Sequence, residues 1–390
     1  MKNRNTIFIV IWAILFTIGI IGFGYRLLYG LETTNLGNRV TWGLWIAMDI
    51  YLIGLSAGAF LLSSLVFVFR IKMFEKIGIM ALFTALTTLG CALLSAWSDI
   101  GHMERILNVF LAPHFHSLLT WIVWLYTAYF LLLIVELALA INVQSANISI
   151  ENKEKRERTL QIVAGIGIPL AIAFHGGFGA LFGVISANPF WSGPLQSIYF
   201  LGGAVASGTA FLTALLVMFW EQRDKVFEKM VRNLGRIVLI AILFDLLLEW
   251  AEVSTALWWT STPEHSEGIN LLLFGPFWWV FWIFHILLGV IIPVYLLSKM
   301  GKSVVHVGWA SGLVAASFLA VRLNIVIPAL TFEKIRGSAS TFIHTRLSTE
   351  YFPSISEFLV GIFIFSFGIG VYYLLNKYFR FTNPEPSQVQ

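Results

Sequence analysis

The stretch LSAWSDIGHMERILNVFLAPHFHSLLTW, residues 94–121, sets Asp99, His102, Glu104, Arg105, His114 and His116 between two apolar runs. A carboxylate beside an imidazole can accept and release protons, because burial and neighbouring charge tune both groups toward the working range. Further titratable groups lie inside the apolar runs: Asp49, His175, Asp245, Glu249, Glu252, His285 and Arg322. Keeping each in hydrocarbon costs about 2.5–3.5 kcal/mol on insertion scales, so each marks a functional pathway by default. Trp42 and Trp45 open one of these runs at the level of Asp99, and Glu249 and Glu252 reach toward that level from another. Indole walls, a carboxylate and a histidine at a bilayer rim suit a quinone. Its ring is flat and apolar, each carbonyl needs a hydrogen-bond donor, and oxidation of the quinol releases two protons, for which Asp99 and His102 are candidate acceptors. Both residues can equally be read as a helix cap and a solvated loop. Asp49, Asp245 and Arg322 could relay protons with Glu249 and Glu252, or Arg322 could pair with either aspartate to hold helices in register.

The elements that must position these groups follow from composition. The chain is 58% hydrophobic and 12% charged, against roughly 25% charged in soluble domains. Fifteen Trp and 34 Phe can serve the two membrane interfaces. The net charge of +4 points to no nucleic-acid partner, since the basic residues sit in short loops. One cysteine, Cys91, excludes an internal disulfide and an iron–sulphur cluster held by this chain alone. The run at 7–29 is too long for a signal-peptide core and reads as a retained first span.

With about 20 apolar residues needed per crossing, ten spans are expected near 7–29, 42–69, 77–97, 116–141, 160–187, 197–220, 236–258, 271–298, 304–332 and 355–377. Basic residues gather on the side of the N-terminus: Lys2, Arg4, Arg70, Lys72, Lys76, the 153–158 and 223–236 loops, Lys299, Lys302, Lys377 and Arg380. The opposite side has only Arg26, Arg39, Arg105, Lys334, Arg336 and Arg346. The asymmetry predicts a multi-pass protein of the cytoplasmic membrane with both termini cytoplasmic and the 94–121 segment outside. Glu136 and Glu221 fall near cytoplasmic ends and read as interfacial. Ser354 and Glu357 have capping-box spacing at the start of the last span, and the tail TNPEPSQVQ reads as loose.

Ile50, Tyr51 and Gly54 match Ile198, Tyr199 and Gly202 in spans that run the same way, which predicts two parallel repeats. The expected fold is all-α: a first span and outer loop (1–40), a four-helix bundle holding the quinone pocket (41–190), a second four-helix bundle (191–335), and an outer loop, last span and tail (336–390). Two other readings use the same residues. His175 and His285, both near mid-membrane, could ligate a b-type haem, although His175 could instead bond a backbone carbonyl. Pro169 and Pro328, at corresponding places in the repeats, would suit the broken helices of a secondary transporter.

TWGLWIAMDI at the start of span two, Asp99-Ile-Gly101, the mid-span His175 and EYFPSISE before span ten resemble the NrfD/polysulphide-reductase family of membrane subunits, and in particular the ten-span branch with the membrane subunit of periplasmic uptake [NiFe] hydrogenases. The resemblance implies a menaquinone- or ubiquinone-reactive subunit with no haem, metal or iron–sulphur cluster of its own. It also implies a ferredoxin-like multi-cluster iron–sulphur partner on the outer face, wired to a hydrogenase, molybdoenzyme or cytochrome subunit. By position it puts Trp42, Asp49, Asp99 and His175 in the quinone pocket, with Trp45 beside them. This chain departs from relatives by having His102 where an arginine is usual, with Arg105 as a candidate replacement cation, and by having Gly176, Gly177 and Phe178 after His175.

Overall fold

The computed structural model describes residues 2–144, 150–188, 190–258, 263–300, 303–331, 344–379 and 381–382. Lys302, Lys334, Arg336, Arg380 and the tail beyond residue 382 lie outside the described residues. Every regular element among the described residues is helical. The long helices are α1 (Lys2–Tyr29), α2 (Leu44–Phe67), α3 (Gly78–Asp99), α4 (Leu118–Gln144), α5 (Ile150–Gly183), α6 (Leu195–Phe219) and α7 (Lys225–Leu257), followed by the shorter α8 (Pro263–Phe274). A π-helix, Val280–Ile291, runs on into α9 (Ile292–Met300), and α10 (Val304–Val326) and α11 (Ile355–Phe379) complete the set. Among the described residues nine helices are long and apolar enough to cross a bilayer. The chain is a multi-pass integral membrane protein.

The seventh expected span corresponds to α7, which is long enough but more charged than the other nine. Its 33 residues reach about 50 Å at 1.5 Å per residue, against a hydrocarbon core of about 30 Å. The first three turns, bearing Lys225, Glu228, Lys229, Arg232 and Arg236, extend beyond the apolar part. Its start is fixed by Asp224, whose Oδ1 accepts the Phe227 amide at 2.7 Å, a side-chain cap for a helix amide that has no partner within the helix.

One expected span is corrected. The run 271–298 is not one helix: α8 ends at Phe274 and the π-helix starts at Val280. Gly275-Pro276 intervenes, and the residue before a proline is driven out of the helical region. The run 304–332 is one candidate crossing, Val304–Thr331, in which the helix ends at Val326 and resumes at Pro328, whereas α5 carries Pro169 without a break. The two prolines therefore do not interrupt their helices in the same way.

The core is centred on α2, nearly all of whose residues are buried. It packs against α3 and α5 on one side and against α6 and α10 on the other. The α2–α6 crossing is a backbone-to-backbone contact. A Cβ on Gly208 would stand 2.5 Å from the Gly58 Cα, and one on Gly58 would stand 2.6 Å from the Gly208 Cα. Helices in lipid associate through such close approach, because no difference in hydrophobicity drives them together. Around this axis α2, α3, α4 and α5 pack as one group and α6, α7, the π-helix and α10 as another. Outside both groups, α1 and α11 pack on each other, and α11 also lies on α3.

Candidate functional site

Asp99 is the last residue of α3, and its Oδ1 is buried with no hydrogen-bond partner. Beside it lies Arg26 from α1, only 1% exposed. The Arg26 Nε donates to the Ser98 carbonyl at 2.8 Å and Nη2 donates to the Ile100 carbonyl at 2.7 Å. The last carbonyls of a helix lack intrahelical partners and carry partial negative charge, which favours a cation there. The same guanidinium sits 5.7 Å from the Trp45 ring centroid, within cation–π range. Asp99 also lies within electrostatic range of Asp49 and Glu357.

Glu357 supports this rim from the start of α11. It is fully buried, and its Oε2 accepts the amides of Ser354 at 2.8 Å and Asn35 at 3.1 Å. Its own amide donates to the Ser354 hydroxyl at 3.2 Å, which completes the expected capping box. Its Oε1 accepts the Tyr351 hydroxyl. That hydroxyl also accepts the Leu44 amide at 3.0 Å, and the Trp45 indole donates to the Glu357 carbonyl at 3.1 Å. Burial, and then the adjoining carboxylate, push the Tyr351 phenol above its ordinary value, so it stays a donor. Glu357→Ala would strand the phenol and two backbone amides at about 1–3 kcal/mol each. We expect thermal unfolding of that variant to show a loss of about 3 kcal/mol or more.

Trp42 is half-buried and packs against Phe182 and Trp191, both with ring centroids 5.7 Å away. It therefore reaches the α5–α6 loop, while Trp45 faces Arg26. His102, Glu104 and Arg105 stand in solvent and bond to one another. His102 Nδ1 is 3.0 Å and Arg105 Nε 3.7 Å from Glu104 Oε1, with side chains 64–68% exposed. Its own backbone amide and the His102 ring hold the Glu104 carboxyl below its ordinary value.

His175 is buried between α5 and α2. Its Nδ1 is 2.9 Å from the Ala171 carbonyl and its Nε2 is 2.9 Å from the Ile53 carbonyl. Both ring nitrogens thus face backbone carbonyls, as in the carbonyl-bonding alternative, and neither is directed at an open ligand position. Tyr129 and Phe174 stand edge-on to the imidazole, with centroids at 6.1 and 4.9 Å. Glu136 requires a correction. It is fully buried and both carboxylate oxygens lack hydrogen-bond partners. It lies seven residues after Tyr129, two turns along the inward stripe of α4 that also contains Ile122, Tyr126 and Leu133.

The remaining predicted residues gather in the other helix group. Asp245, Glu249 and His285 line a cavity of about 10 Å³ together with Ser317 and Phe318, room for about one water. His285 Nδ1 is 3.4 Å from Glu249 Oε1. Arg322, 1% exposed, has Phe200 4.8 Å and Tyr199 5.9 Å from its Cζ. Its Nη1 and the Asp245 Oδ1 are each buried without a hydrogen-bond partner. Glu252 is half-buried, one turn beyond Glu249. Asp49 does not join this group; it lies in α2, in range of Asp99 and Tyr126.

Residues 32–333 of the chain match the family described as Polysulphide reductase, NrfD. A selenate reductase subunit from Mesobacillus selenatarsenatis is 34% identical, over 91% of this chain and 90% of its own length. The chain belongs to the NrfD family. Two further relatives are an Hdr-like menaquinol oxidoreductase integral membrane subunit from Archaeoglobus fulgidus and a menaquinone reductase integral membrane subunit from Nitratidesulfovibrio vulgaris. The first is 27% identical over 86% of this chain and 84% of its own, and the second 26% over 66% and 65%.

Sequence reasoning on this NrfD chain misses Arg26, Tyr351, the second role of Glu357, and the partnership of His285 with Glu249. By sequence alone Arg26 reads only as loop charge. The available signal is its position within an apolar helix, at i+7 from Gly19 and i+4 from Gly22 on the face that packs against α11. His285 reads as an intramembrane titratable group or a haem ligand, because nothing in the order of residues shows that it comes within 3.4 Å of Glu249.

Proposed function

We propose that this chain is the quinone-reactive membrane subunit of a multi-subunit respiratory oxidoreductase. It exchanges electrons between a menaquinone or ubiquinone pool and an iron–sulphur subunit docked on the Asp99 face, in the cytoplasmic membrane with both termini cytoplasmic. The observation that carries this reading is the buried, unpartnered Asp99 carboxylate oxygen beside the Arg26 guanidinium and the Trp45 indole. That is a proton acceptor, a fixed cation and an aromatic wall at one end of the helices. The family, and two relatives named for menaquinol or menaquinone, support it.

In this reading Asp99 takes the proton that a quinol hydroxyl gives up, with Asp49 behind it as the next acceptor. Trp42 and Trp45 flank the ring. His175 acts as a positioning residue that ties α5 to α2, and the solvated His102, Glu104 and Arg105 meet the partner subunit. Asp245, Glu249, Glu252 and Arg322, now joined by His285, form a proton path in the second helix group. The face-to-face contact at Gly58 and Gly208 supports reading 41–190 and 191–335 as parallel repeats.

The test is affinity purification of the tagged chain from its native membrane. We expect a co-purifying subunit with iron and labile sulphide and quinol-coupled turnover. A chain that purifies alone and supports quinol oxidation without such a subunit overturns the reading. His175→Ala separates roles: losing the one N–H bond that the neutral imidazole can give to the Ala171 or Ile53 carbonyl costs about 1 kcal/mol, so it lowers the unfolding temperature together with turnover.

A further inference from the structure

At the end where α2 and α6 finish, a cavity of about 90 Å³ opens between the turn Lys72–Ile77 and the start of α7. It joins the two helix groups, since the turn belongs to the first and α7 to the second. Its wall carries Lys72, Glu75 and Lys76 from the turn and Asp224 from the cap of α7, together with Trp220 and Phe227. The charges are balanced in number. They are also unspent. Lys76 Nζ is 3.9 Å from Asp224 Oδ2, with both side chains about half exposed, a separation at the outer limit of an ion pair and worth little in solvent. The other Asp224 oxygen is occupied by the Phe227 amide. The floor is ordered: Trp220 is 3% exposed, and its ring lies parallel to that of Phe227, with an interplanar angle of 9° and centroids 6.4 Å apart.

The surroundings identify the phase from which an occupant comes. Phe69, Ile71, Met218, Phe219 and Val226 are exposed around this end, between 37% and 66%. Large apolar side chains at the tips of transmembrane helices face acyl chains rather than water, while lysines there extend their ammonium groups to headgroup level.

We propose that this cavity binds the headgroup of one phosphatidylethanolamine molecule. Its phosphate lies between Lys72 and Lys76, its ammonium donates to Glu75 and Asp224, and its acyl chains run along the exposed apolar tips. Ionised donors and acceptors give the stronger hydrogen bonds, and only a headgroup carrying both signs, with N–H donors, satisfies all four side chains. Phosphatidylglycerol would add a third anion beside two carboxylates. Phosphatidylcholine offers a quaternary nitrogen with no N–H. Basic pockets between helices at headgroup level are a known mode of lipid recognition; here the acids set the choice of lipid. By bridging the turn after α2 to the start of α7, the lipid holds the two helix groups together.

The test uses the full-length chain with its co-purifying subunits, delipidated in detergent and then given equal mole fractions of dioleoyl phosphatidylethanolamine, phosphatidylglycerol or phosphatidylcholine. Native mass spectrometry is expected to show one phosphatidylethanolamine retained at collision energies that strip the other two, and the unfolding temperature rises with that lipid alone. Lys72→Gln with Lys76→Gln weakens retention at least tenfold, and Glu75→Gln shifts preference toward phosphatidylglycerol. Equal retention of the three lipids, tightest binding of phosphatidylglycerol, or an unchanged adduct in the double variant overturns the proposal. So does an equal thermal shift from soluble O-phosphoethanolamine, which would make the occupant a soluble zwitterion. The lipid comparison on the unsubstituted protein decides the matter even if a variant fails to fold.

Discussion

Asp99→Asn is expected to lower quinol-coupled electron transfer by about a hundredfold or more, with the complex still assembling and its unfolding temperature nearly unchanged. The size follows from removing a positioned proton acceptor, which typically costs about 10²–10⁴ in rate. Preserved assembly follows from the local geometry. Asp99 Oδ1 makes no hydrogen bond, and the end of α3 is held by Arg26 through the Ser98 and Ile100 carbonyls. Asparagine has nearly the same shape and cannot ionise in this buried place, so the fold loses little while the chemistry loses its base. Arg26→Gln serves as the contrasting variant. It removes two charge-assisted bonds, worth about 1.5–3 kcal/mol each, and should depress stability and turnover together. The measurement is steady-state oxidation of a soluble quinol analogue by the purified complex, alongside thermal unfolding of the same samples. Turnover of Asp99→Asn within a factor of two of the parent would remove Asp99 from the reaction.

The second large effect is structural. Gly58→Val should prevent the complex from accumulating in the membrane. A Cβ at that position would stand 2.6 Å from the Gly208 Cα and 3.0 Å from the Gly208 nitrogen, and both are backbone atoms that cannot rotate away. Relief requires α2 and α6 to separate, which would undo the packing that makes α2 nearly fully buried. Overpacking a well-filled interior costs about 1–3 kcal/mol even where side chains can adjust, and here the cost is higher because two backbones must move. Gly165 is the control: a Cβ there meets nothing within 4 Å, and Gly165→Ala should leave yield unchanged or slightly raised, since Ala favours helix over Gly. Membrane yield by immunoblot and the monodispersity of the purified complex check both.

The legible parts of this protein are those set by one-dimensional physics. A crossing needs a fixed length of apolar residues, so nine spans can be read directly, and the tenth, α7, can be read despite its charge. The Ser354–Glu357 cap depends on residues three apart, and it forms as spacing predicts. Legibility fails where an effect depends on what lies opposite in space. Gly275-Pro276 splits the eighth expected span, and the start of the crossing moves to Val280. Glu136 lies near the end of an apolar run and reads as interfacial, yet helical periodicity turns it into the core. His102 and Arg105 share a segment with Asp99 but bond to Glu104 in solvent instead.

The amino-acid sequence by itself determined that this is an all-helical membrane protein of the NrfD family, because apolar length, polar punctuation and short motifs are local properties that survive without coordinates. Only the tertiary structure decided which charges meet. Arg26 reaches the Ser98 and Ile100 carbonyls across about 70 residues of chain, and Glu357 reaches the Asn35 amide and the Trp45 indole across more than 300. His285, on the π-helix, comes within 3.4 Å of Glu249 on α7. Those proximities are set by which helices pack together, and packing is a property of helices in contact rather than of residues in order.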